Sequence, residues 1–215
     1  MRSLINFRKM GISLCILVLC GSVGAKESGK EEGAPYPAKQ VLIVGLHDNV
    51  KSNYFYKGMI AEETGMQADS IDVAYNRIIA ENIAAAAPEG VVRFVSAEQI
   101  DGRVLNEIKV NGESEESYAD LSAVAPVEWQ QVLEKAGVDY LLILNQHYLK
   151  WQDRPLRTLF HIVSYTLVDK KKKEICRGNN YFTCMNLESP DKLRKISRKS
   201  SSKIASAIVK TLDEE

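Results

Sequence analysis

The 215 residues, 45% hydrophobic and 26% charged, suffice for one globular core and are too apolar for a wholly disordered chain. Formal charge sums to zero but is segregated: residues 26–125 hold 9 bases and 17 acids (net −8), and residues 126–215 hold 16 bases and 11 acids (net +5). The basic half has no aromatics interleaved with its Lys and Arg, which argues against nucleic acid and for acidic and basic surfaces that pack on each other or on a partner.

The chain opens as an export leader. Arg2, Arg8 and Lys9 precede an uncharged apolar run, MGISLCILVL, and then small residues up to Ala25. That run is near ten residues where a membrane-spanning helix needs ~20, so residues 1–25 read as a signal peptide. Two processing routes fit. Val23-Gly24-Ala25 suits ordinary cleavage before Lys26, whereas Leu17-Val18-Leu19-Cys20 resembles a lipobox, which would make Cys20 a lipidated first residue; Leu19 stands where Gly, Ala or Ser is usual. Residues 26–39, with two Gly and two Pro, read as a flexible linker ahead of one globular domain over 40–215.

Val41-Leu42-Ile43-Val44 predicts a buried strand that ends in the turn-rich Gly45-Leu46-His47-Asp48-Asn49. A short helix is expected around residues 55–63, closed by Gly65. Asp69-Ser70 can then cap a helix whose stripe is Ile71, Tyr75, Ile78, Ile79 and Ile83, stopped at Pro88-Glu89-Gly90. Residues 91–95 predict the second strand, and residues 98–125 read as acidic and irregular. Pro126 opens a helix to Ala136 with Gly137 in the left-handed position that follows. Residues 138–149 (VDYLLILNQHYL), the longest apolar run after the leader, predict a central strand. Residues 156–168 and 173–184 predict two more strands, joined by a charged turn at Lys170–Lys173. Ser189-Pro190-Asp191 opens a final helix with the stripe Leu193, Ile196, Ser200, Ile204, Ile208 and Leu212. The expected class is α/β (α+β), a mixed sheet of about five strands in the order β-α-β-α-β-β-β-α with helices packed on it.

The pieces QVLIVGLHDN, IIAENIAAAAPEGVVRFVSAEQI, LEKAGVDYLLIL and IVSYTLVDKKKKEI, in that order, resemble a group of bacterial envelope domains. The group comprises the N-terminal domain of the Tol-system translocation protein, the curli-secretion lipoproteins and the lipoprotein activators of penicillin-binding proteins. The resemblance spans residues 40–212 and implies the fold above. Members use that fold for secretion, activation and assembly, so it implies an envelope protein partner without naming one. Residues 50–70 and 100–125 have no counterpart, and the second stretch is too short and acidic for the membrane hairpins of a secretion channel.

No G-x-S-x-G, P-loop, G-x-G-x-x-G or paired-carboxylate motif occurs, so no catalytic residue and no cofactor is assigned. His47 and Asp48 follow the first strand, where α/β folds often place ligands, although a turn in which Asp48 and Asn49 bond their own backbone explains them as well. With Tyr54 they mark a candidate ligand or partner surface. Lys192, Lys195 and Lys199 mark a second, a basic face of the last helix suited to an acidic partner or anionic lipid. A tight hairpin near Gln152-Asp153 would pair His147 with Thr158 and keep it from His161, and no carboxylate or Cys stands at ligand spacing beside them, so no metal site is assigned. Cys176 and Cys184 can form a disulfide only if the chain reverses at Gly178-Asn179-Asn180, because one straight strand would hold them ~26 Å apart. The sequence therefore favours an exported, non-enzymatic protein-binding or assembly module in the periplasm or on a lipid anchor. The alternatives are a small-molecule or glycan-binding domain using His47 and Tyr54 and, last, an unrecognised hydrolase.

Overall fold

One strand, β6 (Tyr140–Gln152), organises the rest. In the computed structural model, which describes residues 38–88, 90–96 and 102–214, the chain runs β1 (Lys39–Gly45), β2 (Val50–Ser52), α1 (Lys57–Thr64), a 3-10 turn, α2 (Ile71–Ala85), β3 (Val92–Ser96), α3 (Gly102–Glu107), β4 (Lys109–Asn111), β5 (Tyr118–Asp120), α4 (Pro126–Ala136), β6, β7 (Thr158–Asp169), β8 (Glu174–Cys184) and α5 (Pro190–Asp213). The proposed leader, Cys20 and most of the linker lie outside the described residues.

The sheet order is β3-β1-β6-β7-β8, with β2 added beside the upper part of β6. β1 is parallel to β3 and β6, and β6, β7 and β8 are antiparallel in turn. The expected mixed α/β sheet is present, and β6 lies in its middle. Leu141, Leu142 and Ile143 are all fully buried, which only a strand covered on both faces allows. Residues read as irregular between 98 and 125 contain α3 and the β4–β5 ribbon. Strands of three residues and a helix of six carry too few periods to show in sequence.

Two apolar clusters lie on opposite faces of the sheet. One, under α2 and α5, joins Val41, Ile43, Leu142, Leu144 and Val163 to Tyr75, Ile79, Ile204 and Ile208. The other, under α3, α4 and the β4–β5 ribbon, joins Leu42, Val44, Leu141 and Ile143 to Trp129 and Leu133. Trp129 is wholly buried, and its indole N–H donates to the Asp169 carbonyl at 2.8 Å. Helix ends follow the sequence signals: Pro126 and Pro190 sit in first turns, and Gly137 adopts φ 65° after α4. Ser189 and Ser70 occupy N-cap positions without a side-chain cap bond, so the prolines and packing define those starts.

A β-bulge interrupts β6 between Leu144 and Gln146. Below it Leu142 and Leu144 face α2 and α5; above it the odd residues His147, Leu149 and Trp151 do. The extra residue, Asn145, is fully buried and donates its amide to the Ser117 carbonyl (3.0 Å) and Thr166 Oγ1 (2.9 Å), which also accepts from the Ala119 N–H (3.1 Å). The bulge thus fastens the β4–β5 ribbon to the sheet.

Candidate functional site

The upper end of β1 and β2 carries the first set of sequence candidates. A Cβ on Gly45 would fall 2.1 Å from the Asn76 side chain, so only glycine lets α2 approach this close. Asn76 then exchanges hydrogen bonds with Asn49 (2.9 and 3.1 Å), while Asn49 also donates to the Leu144 carbonyl and Asn76 to that of Leu46. Asp48, at φ 51°, points out and meets Lys57 Nζ at 2.5 Å; the same ammonium reaches Asp72 at 3.1 Å, whose other oxygen accepts the Val50 N–H. The Lys57 hydrogen bond lowers the Asp48 pKa, and that bond raises the Lys57 pKa. The expectation that Asp48 and Asn49 bond their own backbone is corrected: both tie the loop to α1 and α2. His47 is exposed.

Tyr54 stands a few residues on. Asn53 bonds both backbone groups of Trp151, donating to its carbonyl (3.0 Å) and accepting its N–H (2.7 Å), and Ser52 Oγ donates to the Leu149 carbonyl. This fixes a ledge on which Tyr54 stacks against Trp151 (6.0 Å, 30°) with Phe55 edge-on to both. Tyr54 is nonetheless 59% exposed, Tyr56 68% and Leu156, in the loop after Trp151, 74%. Cavities of about 240 and 430 Å³ lie elsewhere, on either side of Tyr118 beneath β8, not beside His47 and Tyr54.

Sequence reasoning missed one cluster. The β6–β7 loop spans residues 153–157, not two residues, because Pro155 cannot donate to a ladder. The register therefore shifts: Leu149 faces His161, and His147 faces Val163 rather than Thr158. His147 and His161 become diagonal neighbours on one face, with His147 Nε2 and His161 Nδ1 at 3.0 Å and His161 Nε2 at 3.3 Å from Cys184 Sγ. Tyr75 lies edge-on to His147, and Phe182 stacks on His161. Burial lowers the pKa of His161 to about 3, drives that of His147 well below its ordinary value, and raises the Cys184 thiol to about 11. Neutral imidazoles and a protonated thiol make a packed polar relay, not an activated nucleophile. The reversal that a Cys176–Cys184 disulfide would need is absent: β8 runs straight through residues 178–180, and both cysteines are free thiols. Among the described residues no three His, Cys, Asp or Glu side chains are grouped to hold a metal.

The second set of candidates lies on α5. Lys192, Lys195 and Lys199 are exposed on the side away from the sheet and far along the chain from the Tyr54 ledge.

No family model matches the chain, and no curated protein matches it significantly. Solved structures do. The hypothetical protein CT253 from Chlamydia trachomatis shares the fold at TM-score 0.52 and 6% identity, over 83% of this chain and 100% of that one. The PelC dodecamer from Paraburkholderia phytofirmans is similar at TM-score 0.40 and 11% identity (79% and 87% of the two chains). The LpoB C-terminal domain from Salmonella enterica is similar at 0.30 and 11% (70% and 85%). The protein is a mixed α/β domain with helices on its sheet. At 6% identity, the likeness to CT253 is one of fold.

Proposed function

We propose that this is an exported cell-envelope protein that works without catalysis, as a protein-binding or assembly module. The observation that carries the reading is the aromatic ledge: Tyr54, Tyr56 and Leu156 are held exposed by a scaffold of backbone hydrogen bonds. Rigid exposed aromatics beside aliphatics are the composition of binding hot spots, and leaving them in water has no folding benefit. The leader supports export, and Cys20 offers a lipid anchor as the alternative to soluble release.

A photo-crosslinking residue at position 54 or 56 in the producing cell tests this. Both positions should trap the same protein, and a residue at the equally exposed Val127, on the opposite layer, should not. Crosslinks no stronger at 54 than at 127, with a small molecule that raises the melting temperature, would sink the proposal in favour of ligand binding.

A further inference from the structure

Between Asp191 and Asp213 α5 carries seven bases and no acid. Its packing buries Leu193, Ser197, Ser200, Ile204, Ile208 and Leu212, which turns Lys195, Lys199 and Lys203 outward in one line, with Arg198 beside them. The remaining bases are neutralised nearby: Lys192 by Glu188, Arg194 by Glu81 of α2, and Lys210 by Glu214. The outward four have no ion pair among the described residues, and the exposed Arg77 of neighbouring α2 has none either. Lysines four apart repel and lower helix stability, so the line has a folding cost and no ion-pair partner among the described residues. The opposite layer carries more acid than base: Glu107, Glu113, Glu116, Glu128 and Glu134 are exposed there with no ion pair among the described residues, against the exposed Lys109 and Lys135. The sheet thus separates a cationic side from an anionic one.

A second feature locates the cationic side. The described chain enters the sheet at Lys39, whose ammonium donates to the Leu212 carbonyl in the last turn of α5 (2.5 Å). The first strand thus begins beside the C-terminal turn of α5, nine residues beyond Lys203.

We propose that α5 rests this line on an anionic phospholipid bilayer, with its axis along the surface and the acidic layer turned away. The contact is electrostatic adsorption, since the outward face has no large apolar residue to insert. This is independent of the partner reading, because the Tyr54 ledge lies at the far end of the sheet from Lys39.

Flotation of the protein purified from the envelope tests it, using phosphatidylcholine vesicles with and without about two-fifths phosphatidylglycerol. Salt is varied from about 50 to about 500 mM, which shortens the screening length from roughly 14 to roughly 4 Å. Wild type should float at least about tenfold better with phosphatidylglycerol at low salt, and lose that gain at high salt. Combined Lys195→Glu, Lys199→Glu and Lys203→Glu should abolish the gain with the melting temperature kept; the same three changed to Gln should give an intermediate loss. Glu113→Gln with Glu116→Gln should leave it unaltered. Flotation that ignores lipid charge, salt and these substitutions would mean that a covalent anchor alone holds the protein, and would overturn the proposal. So would wild-type flotation by the Glu triple variant together with loss of a crosslinked acidic protein, which would make the line a protein dock.

Discussion

The two faces of the sheet are covered by different means. Two long helices, α2 and α5, cover one face and trap polar groups with it: the His147–His161 pair, Ser200 and Ser201, and a Tyr75 hydroxyl that has no hydrogen-bond partner among the described residues. Short elements cover the other, and its polar groups, Asn145, Thr166 and Ser117, are tied to each other across elements, with Asn145 Oδ1 left unpartnered among the described residues. Each face thus leaves a buried polar atom unpartnered, and the difference lies in the cover: the helices surround theirs with a large apolar area. Patchwork cover instead relies on specific hydrogen bonds and one large anchor, Trp129.

The most severe way to break this comparison is a charge on the helix-covered face. Leu142→Asp should cost upward of about 4 kcal/mol, read as a lowered urea midpoint or failure to fold, because its carboxylate would be buried without a partner. An unchanged midpoint would remove β6 from the centre of the sheet. On the patchwork face, Trp129→Ala should cost about 3–5 kcal/mol in the same assay, since it removes both the anchor and a bond to Asp169.

Between pH 7 and pH 5, acid should act on the helix-covered face. His161 is neutral when folded, with a pKa of about 3, whereas in the unfolded chain it protonates near 6.5. The unfolded state therefore binds more protons as pH falls from 6.5 towards 3. Stability is full above 6.5 and is lost by ~1.4 kcal/mol per pH unit below it, with His147 adding in the same direction. Denaturation midpoints at pH 7 and pH 5 should differ in wild type and converge in His147→Phe/His161→Phe. Equal slopes in both proteins would put the acid sensitivity elsewhere.

The smallest effect has the opposite sign. Tyr75→Phe removes a buried hydroxyl that bonds no group among the described residues, so it should be neutral or stabilising by up to about 1 kcal/mol. A clear destabilisation would show that the hydroxyl is satisfied after all.

The helix-covered face was the more legible in sequence. The stripes Ile71–Ile83 and Leu193–Leu212 repeat over several turns, and the line of exposed Lys on α5 follows from the same period. The patchwork face was read as irregular, because β4, β5 and α3 are too short to show a period. The candidate residues divide the same way. Lys192, Lys195 and Lys199 were legible because helix geometry alone turns them outward. The His147–His161–Cys184 relay was not, since it depends on a five-residue loop and a bulge, and cross-strand register is set by such features, not by alternation. The disulfide was left open for the same reason, and the straight course of β8 closes it.

The bulge at Asn145 has a consequence for how this chain can change in length. Above and below it, β6 turns opposite parities toward the helices, so the strand is two rulers joined out of step. Deleting Asn145 would leave a regular ladder, because Leu144, Gln146 and His147 already pair with the consecutive Tyr165, Ser164 and Val163, so His147, Leu149 and Trp151 would keep facing the helices. Removing any other single residue of β6 while the bulge stays would turn one ruler over. The loop at residues 153–157 can gain or lose residues without moving any of them. Two sites some ten residues apart thus take a lost residue differently: the loop keeps every core contact, and the bulge keeps its faces but loses the Asn145 bonds that fasten the ribbon.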